Sequence, residues 1–174
     1  ALIEFTSQLR VLEDVDDICL AAARILAQTL GVSRAGYGMA DHDAETLQVS
    51  CDWTAPGMES LQGRLKLRDY GSFIDTLKDD EIVSVTDVRD DLRTAVTATA
   101  LESLNARAFL NIPVVEHERL VAVLFVNQEN VRQWTHEECE FMLEIAGRTR
   151  TAAERVRSES VLRTNEAQLR EMNE

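Results

Sequence analysis

The run Ala108-Phe109-Leu110-Asn111-Ile112-Pro113-Val114-Val115 is followed, after Glu116-His117-Glu118-Arg119, by Leu120-Val121-Ala122-Val123-Leu124-Phe125-Val126. Both runs are almost continuously apolar, which predicts two strands covered on both faces at the centre of a sheet. The four polar residues between them suit a hairpin. Pro113 has no N–H to donate, so its place is a bulge or an unpaired position.

Downstream, Trp134-Thr135-His136-Glu137-Glu138 reads as a helix start, with Thr135 as cap and Glu138 completing a capping box. No proline follows, so one long helix is predicted, highly charged from Arg150 to Glu174. Upstream, Ala95 to Ala106 is rich in helix formers, Glu81 to Val85 is extended and Gly71 to Leu77 is a short helix. Gly63 to Leu67 alternates as a strand, and Arg34–Ala40 and Thr46–Trp53 are strands flanking a polar loop. Asp14 caps a helix that buries Ile18, Ala22, Ile25, Leu26 and Leu30 and stops at Gly31. Before it, Leu2, Ile3, Phe5, Leu9 and Leu12 mark an amphipathic helix. Strands joined by hairpins, with helices gathered at the ends, predict an α+β sandwich built on an antiparallel sheet.

The 174 residues suit one domain. Organisation is read as an N-terminal helical segment over 1–14, the domain over 15–150 and a charged helical exit over 151–174. Lys and Arg number 18 against 31 Asp and Glu, a net charge of -13 that repels nucleic acid and anionic membrane. Cys19, Cys51 and Cys139 are sparse and unpaired in spacing, which fits a reducing cytoplasm. No apolar run approaches the ~20 residues of a membrane helix. The chain begins with Ala and stops inside a helix-favouring stretch, so both ends are expected to be cuts from a longer protein.

The chemistry motifs are silent. His42, His117 and His136 have no partner at metal-ligand spacing, and no phosphate loop, GxSxG elbow or HExxH occurs. No catalytic residue, metal or cofactor is therefore expected. Cys19 and Cys139 fall on apolar helix stripes, and Cys51 stands beside Asp52, which raises a thiol pKa. A ligand cavity is expected between the sheet and the connections Pro56–Asp87 and Ala95–Arg107. Tyr37, Trp53, Tyr70, Phe73, Leu77 and Arg107 are its candidate lining, with Asp87 near the rim. The alternative, that these rings only fill the core, stands beside it.

On the exit helix, Ile145, Thr149, Ala152 and Val156 repeat at spacings of four, three and four, and Leu162, Asn165, Leu169 and Met172 at three, four and three. Both sets suit the seam of a parallel homodimer, Asn165 fixing register. The stripe Leu2, Phe5, Leu9 and Leu12 could pair alongside as a four-helix bundle.

Four segments together resemble the GAF family. Glu81-Ile82-Val83 and Asp87-Val88-Arg89-Asp90-Asp91-Leu92-Arg93 resemble its "vvi-Dv-x-Dpr" segment, and Ala106 to Val114 its "g-x-r-S-l-l-x-v-P-l" strand. Arg119 to Leu124 resembles the next strand, and Trp134 to Glu138 the "f/w-t-x-e-e" start of the last helix. The resemblance spans roughly residues 15 to 155 and implies a GAF-like antiparallel sheet with helices on its faces and a long C-terminal helix. Trp53 to Gly57 and Asp69 to Phe73 are similar to GAF domains of bacterial, PAS-containing sensor histidine kinases, some phytochrome-like. The tail Ala152 to Glu166 is similar to the signalling helix before a PAS or kinase module. The resemblance implies a sensory domain of a two-component protein that binds a small ligand and signals through a dimeric helix. A ligand-free dimerisation and spacing domain is the alternative, and a sulfoxide reductase using Cys51 a third. Ala95 to Arg107 lacks the Cys–His pair of bilin-binding members, and the clustered cysteines of the reductases are absent.

Overall fold

In the computed structural model, which describes residues 1–173, two helices come first, α1 (Leu2–Val11) and α2 (Val15–Leu30). Strands β1 (Arg34–Asp41), β2 (Thr46–Val49), β3 (Asp52–Thr54) and β4 (Gly63–Lys66) follow. Then come a 3₁₀ turn (Leu67–Tyr70), α3 (Phe73–Lys78), β5 (Val83–Val85) and α4 (Ala98–Ser103). Strands β6 (Ala108–Glu116) and β7 (Arg119–Gln128) and the long helix α5 (His136–Met172) complete the described residues.

The sheet is antiparallel, in the order β4-β2-β1-β7-β6-β5, with β3 also paired to β1. The two apolar runs form the expected hairpin, from Ala108 opposite Gln128 to Glu116 opposite Arg119. Its tip is His117 and Glu118, both at positive φ, as a two-residue type I′ turn requires. Pro113 stands beside a bulge at Val114/Val115 and beyond Asn111, the last β6 residue that β5 reaches, which satisfies the proline constraint. Thr46–Trp53 is two strands rather than one. Segments β2 and β3 pair with the same edge of β1 one residue out of register, and Ser50 and Cys51 absorb the difference.

Both helix starts form as the sequence dictates. The Asp14 carboxylate accepts the Asp16 N–H at 2.7 Å, and Thr135 and Glu138 make a reciprocal capping box. Helix α2 ends at Gly31, left-handed at φ 65°. Gly71 is needed for a different reason: a Cβ there would lie 2.3 Å from the Arg93 carbonyl oxygen.

Side chains alternate across the sheet into two cores. One face carries Ala35, Tyr37, Leu110, Ile112, Leu124 and Val126 against α1, α2 and α5. The other carries Leu47, Val83, Val85, Phe109, Val123 and Phe125 beneath α3, α4 and their connections. Residues 1–14 join the first core through Phe5 and Leu9.

This placement corrects the dimer seam. Ile145, Thr149, Ala152 and Val156 are buried in the chain's own core, so their three-and-four spacing marks the face that α5 lays on α2 and the sheet. The α1 stripe is likewise turned inward, and the Arg155 guanidinium donates to the Leu9 and Leu12 carbonyls at the end of α1. Neither set is free to meet a second copy. Leu162, Asn165, Leu169 and Met172 lie beyond the core and are exposed.

The β1–β2 turn is tied to α3 by charge. Glu45 accepts from Arg68 at 2.6 Å and from Lys78 at 2.8 Å, and Arg68 also holds Asp75. These partners, Arg68 first, hold the Glu45 carboxyl down at about 2. A depressed carboxylate contributes its stability above its unfolded pKa and loses it as pH falls through the folded one. Urea unfolding should therefore show stability falling from about pH 5 to pH 2, and Glu45→Gln should flatten that slope.

Candidate functional site

Alternation along the central strands decides which side chains look away from the long helix. On that face stand Phe109 and Asn111 from β6, and Val123, Phe125 and Asn127 from β7. Strand β1 offers Gly36 and Gly38 there. A Cβ on Gly36 would come within 2.5 Å of the Phe125 ring, and one on Gly38 within 2.6 Å of the Leu47 side chain. Bare backbone at these two positions lets Phe125 and Leu47 lie flat against β1.

Leu61, Leu65 and Leu67 close over this face from one side and Leu101, Leu104 and Ala106 from the other. Tyr70 and Phe73 form the end wall, with the Phe73 and Phe109 rings 5.0 Å apart and tilted by 57°. A cavity of about 50 Å³ remains between them. Besides the Tyr70 hydroxyl, two amide side chains enter this largely apolar lining. Asn127 Oδ1 accepts from Arg34 at 2.9 Å. Asn111 is 7% exposed, and its Oδ1 is buried without a hydrogen-bond partner.

Arg34 holds the roof in place. Its side chain is wholly buried, and among the described residues it forms no ion pair. Instead Nε and Nη2 donate to the Glu59 carbonyl at 3.0 and 2.7 Å, and Nη2 also donates to the Leu104 carbonyl at 2.9 Å. Burial pulls its pKa below the ordinary guanidinium value, while nearby Asp52 and Glu59 oppose the shift. One side chain on a central strand thus pins both loops that cover the cavity.

The residues singled out in the sequence divide between two faces. Tyr70 and Phe73 line the cavity. Leu77 is fully buried in the same core without reaching the lining. Tyr37 and Trp53 lie on the opposite face, in the core against the helices, because their strand positions alternate away from Gly36 and Gly38. Burial pushes the Tyr37 hydroxyl pKa well up. Arg107 is committed to Asp87 by two hydrogen bonds of 2.7 and 3.0 Å, which fasten the loop after β5 to the start of β6. That guanidinium holds the Asp87 carboxyl below its usual range. Neither residue lines the cavity.

The cysteines and histidines also have places of their own. Cys19 is buried, its thiol pushed up to about 12 chiefly by desolvation, and burial with nearby Asp16 and Asp52 raises Cys51. Both sit on the helix side of the sheet, away from the cavity. His42 Nδ1 accepts the Leu120 N–H at 3.0 Å, bracing one hairpin against another. Among the described residues no group of His, Cys, Asp or Glu gathers to hold a metal. No described helix is long and apolar enough to cross a membrane. A larger groove of about 650 Å³ runs between α1 and α5, but it is open and edged by Arg10, Glu144, Arg148 and Arg155.

Sequence reasoning missed Asn111, Asn127 and Arg34. For Asn111 the signal was a single polar residue inside an apolar strand run; Arg34 and Asn127 stand at the ends of their apolar runs, each two positions from a glycine or phenylalanine of the same strand.

The family model of the GAF domain matches residues 14–152. No curated protein matches the chain in sequence. Among solved structures, the phycoerythrobilin-bound GAF domain from a cyanobacterial phytochrome has a TM-score of 0.78 at 17% identity, over 91% of this chain and 95% of that one. The free methionine-R-sulfoxide reductase from Neisseria meningitidis, in complex with its substrate, has 0.71 at 16%, over 91% and 89%. The blue-light absorbing form of the Thermosynechococcus elongatus PixJ GAF-domain has 0.69 at 21%, over 91% and 94%. At these identities the likeness is one of fold.

The Arg34 clamp makes a direct prediction. Arg34→Met removes the buried guanidinium with its four hydrogen bonds and leaves Asn127 Oδ1 and the Glu59 and Leu104 carbonyls without that donor, which should cost about 1–3 kcal/mol. Urea unfolding of the variant measures the loss. Arg34→Lys should recover only part of it, since one ammonium cannot span both loops.

Proposed function

The chain belongs to the GAF family, and we propose that it is a sensory domain of a bacterial signalling protein, binding a small molecule in the cavity beneath α4 and signalling through α5. The observation that carries this reading is the position of the cavity relative to that helix. Phe109 and Asn111 line the cavity, while Leu110 and Ile112 on the same strand pack in the core against α2 and α5. A ligand that displaces the first pair shifts the backbone that carries the second, because close-packed interiors transmit displacement.

Solved GAF domains with bound chromophores support a ligand on this fold. A covalently attached bilin does not suit this site, since Ala95 to Arg107 holds neither Cys nor His and the cavity is small. Placement away from the cavity and a raised thiol pKa leave Cys51 without the attributes of a catalytic nucleophile.

For output, the exposed end of α5 is the route. Leu162 and Leu169 are each 58% exposed and Met172 is 81% exposed, an apolar stripe that none of the described residues covers. A second copy in parallel would cover it, with Asn165 fixing register. The parent protein is read as a cytoplasmic sensor histidine kinase of a two-component system, with a PAS or kinase module following this helix. A spacer domain without a ligand is the second reading, favoured by the small cavity volume.

Thermal shift across a metabolite panel separates the two readings. A true ligand at a hundred times its Kd adds about 2.7 kcal/mol, or about 5–10 °C in Tm. Ala106→Leu, which fills the cavity, should abolish that shift. Sedimentation at micromolar concentration should show a dimeric parent and monomeric Leu162→Asp and Leu169→Asp variants. No shift with any compound, from a dimeric parent, favours the spacer.

A further inference from the structure

Resting on the reading of the cavity as a ligand site, the geometry points to the class of molecule it takes. That molecule is small, uncharged and apolar over most of its surface, and it carries one N–H or O–H donor for Asn111 Oδ1. The walls are hydrocarbon: Leu47, Leu67, Phe73, Phe109 and Phe125 bury any guest in apolar contact. Among the buried side-chain polar atoms of the described residues, the one without a hydrogen-bond partner is Asn111 Oδ1, in a side chain more than nine-tenths buried. An amide oxygen left unpaired in an apolar setting has lost its water hydrogen bonds without replacement, so a guest's donor recovers free energy there.

Charge selects against anions. The nearest cation, Arg34, already donates to Glu59, Leu104 and Asn127, and Arg107 is held outside by Asp87. A carboxylate or phosphate would find no uncommitted cation to offset its desolvation, and the neutral Asn111 amide N–H alone does not replace one. A cation would enter a site with no carboxylate in its lining.

Size sets the upper limit. The cavity of about 50 Å³ is smaller than the ~150 Å³ that holds benzene in an engineered core, so a guest of one ring requires the rim to yield. Leu61, Tyr70 and Leu104 are half-buried and form that rim, whereas the floor on β6 and β7 is fixed by its pairing.

Phenol, fluorobenzene and benzoate test the assignment on the full 174-residue chain, with dissociation constants read from NMR shifts of the backbone amides of Phe109 and Phe125, which line the same cavity. Phenol should bind about three- to tenfold more tightly than fluorobenzene, the worth of one hydrogen bond to a neutral acceptor, and benzoate should not bind. Asn111→Leu should bring the phenol-to-fluorobenzene ratio to about one while retaining both, and should raise Tm, since it removes the orphaned acceptor. Equal binding of phenol and fluorobenzene by the parent overturns the donor assignment, a resident water then serving Asn111. Tighter binding of benzoate, or of biliverdin through these same signals, overturns the class but leaves the ligand site standing. Silence of these backbone signals toward all four compounds removes the site itself.

Discussion

Strand β7 lies between β1 and β6 and has helices or connections over both faces, so every side chain on it must be accommodated away from water. That constraint reaches through the whole molecule. It demands an apolar sequence without alternation, and it divides the side chains by position into two cores back to back. It also makes any polar group on the central strands expensive unless a partner is built for it. Arg34 and Asn127 meet the demand together, one donating to the other and to two carbonyls in the covering loops. Asn111 does not, and the difference between these two asparagines is what gives the cavity a chemical character beyond its shape.

Much of the fold was legible because its elements carry strong local signals. The apolar runs Ala108–Val115 and Leu120–Val126 have no other stable use, and Asp14, Gly31 and Thr135 mark helix ends by side-chain chemistry that depends only on near neighbours. Where the reading failed, the information was not local. Nothing in Thr46–Trp53 announces that its two halves pair one residue out of step with the same strand, since that offset is decided by β1. The spacing of Ile145, Thr149, Ala152 and Val156 is identical for a helix on its own sheet and a helix on a partner, and only the sheet's position distinguishes them.

The cavity was half legible. Its location under the connections, and the parts of Tyr70 and Phe73 in it, follow from chain order. Its other walls require knowing which face of each strand looks outward, and one position of phase sends a residue to the opposite core. Tyr37 and Trp53 went to the helix side on that account, while the adjacent glycines took the cavity side. Arg107 illustrates a second limit: a guanidinium near a predicted pocket is available only if no carboxylate claims it first, and Asp87, twenty positions earlier, does so.

Helix α5 leaves the body of the protein at Val156, the last residue that it buries, and continues to Met172. At 1.5 Å per residue that free length is about 24 Å, and a stiff rod of such length amplifies angle into distance. A tilt of about five degrees at its base, small enough to need no change in the pairing of any strand, carries the far end sideways by about 2 Å. The displacement at the tip is then set by the geometry of leverage, so a disturbance too slight to be noticed in the core becomes comparable to the spacing between packed atoms at the other end.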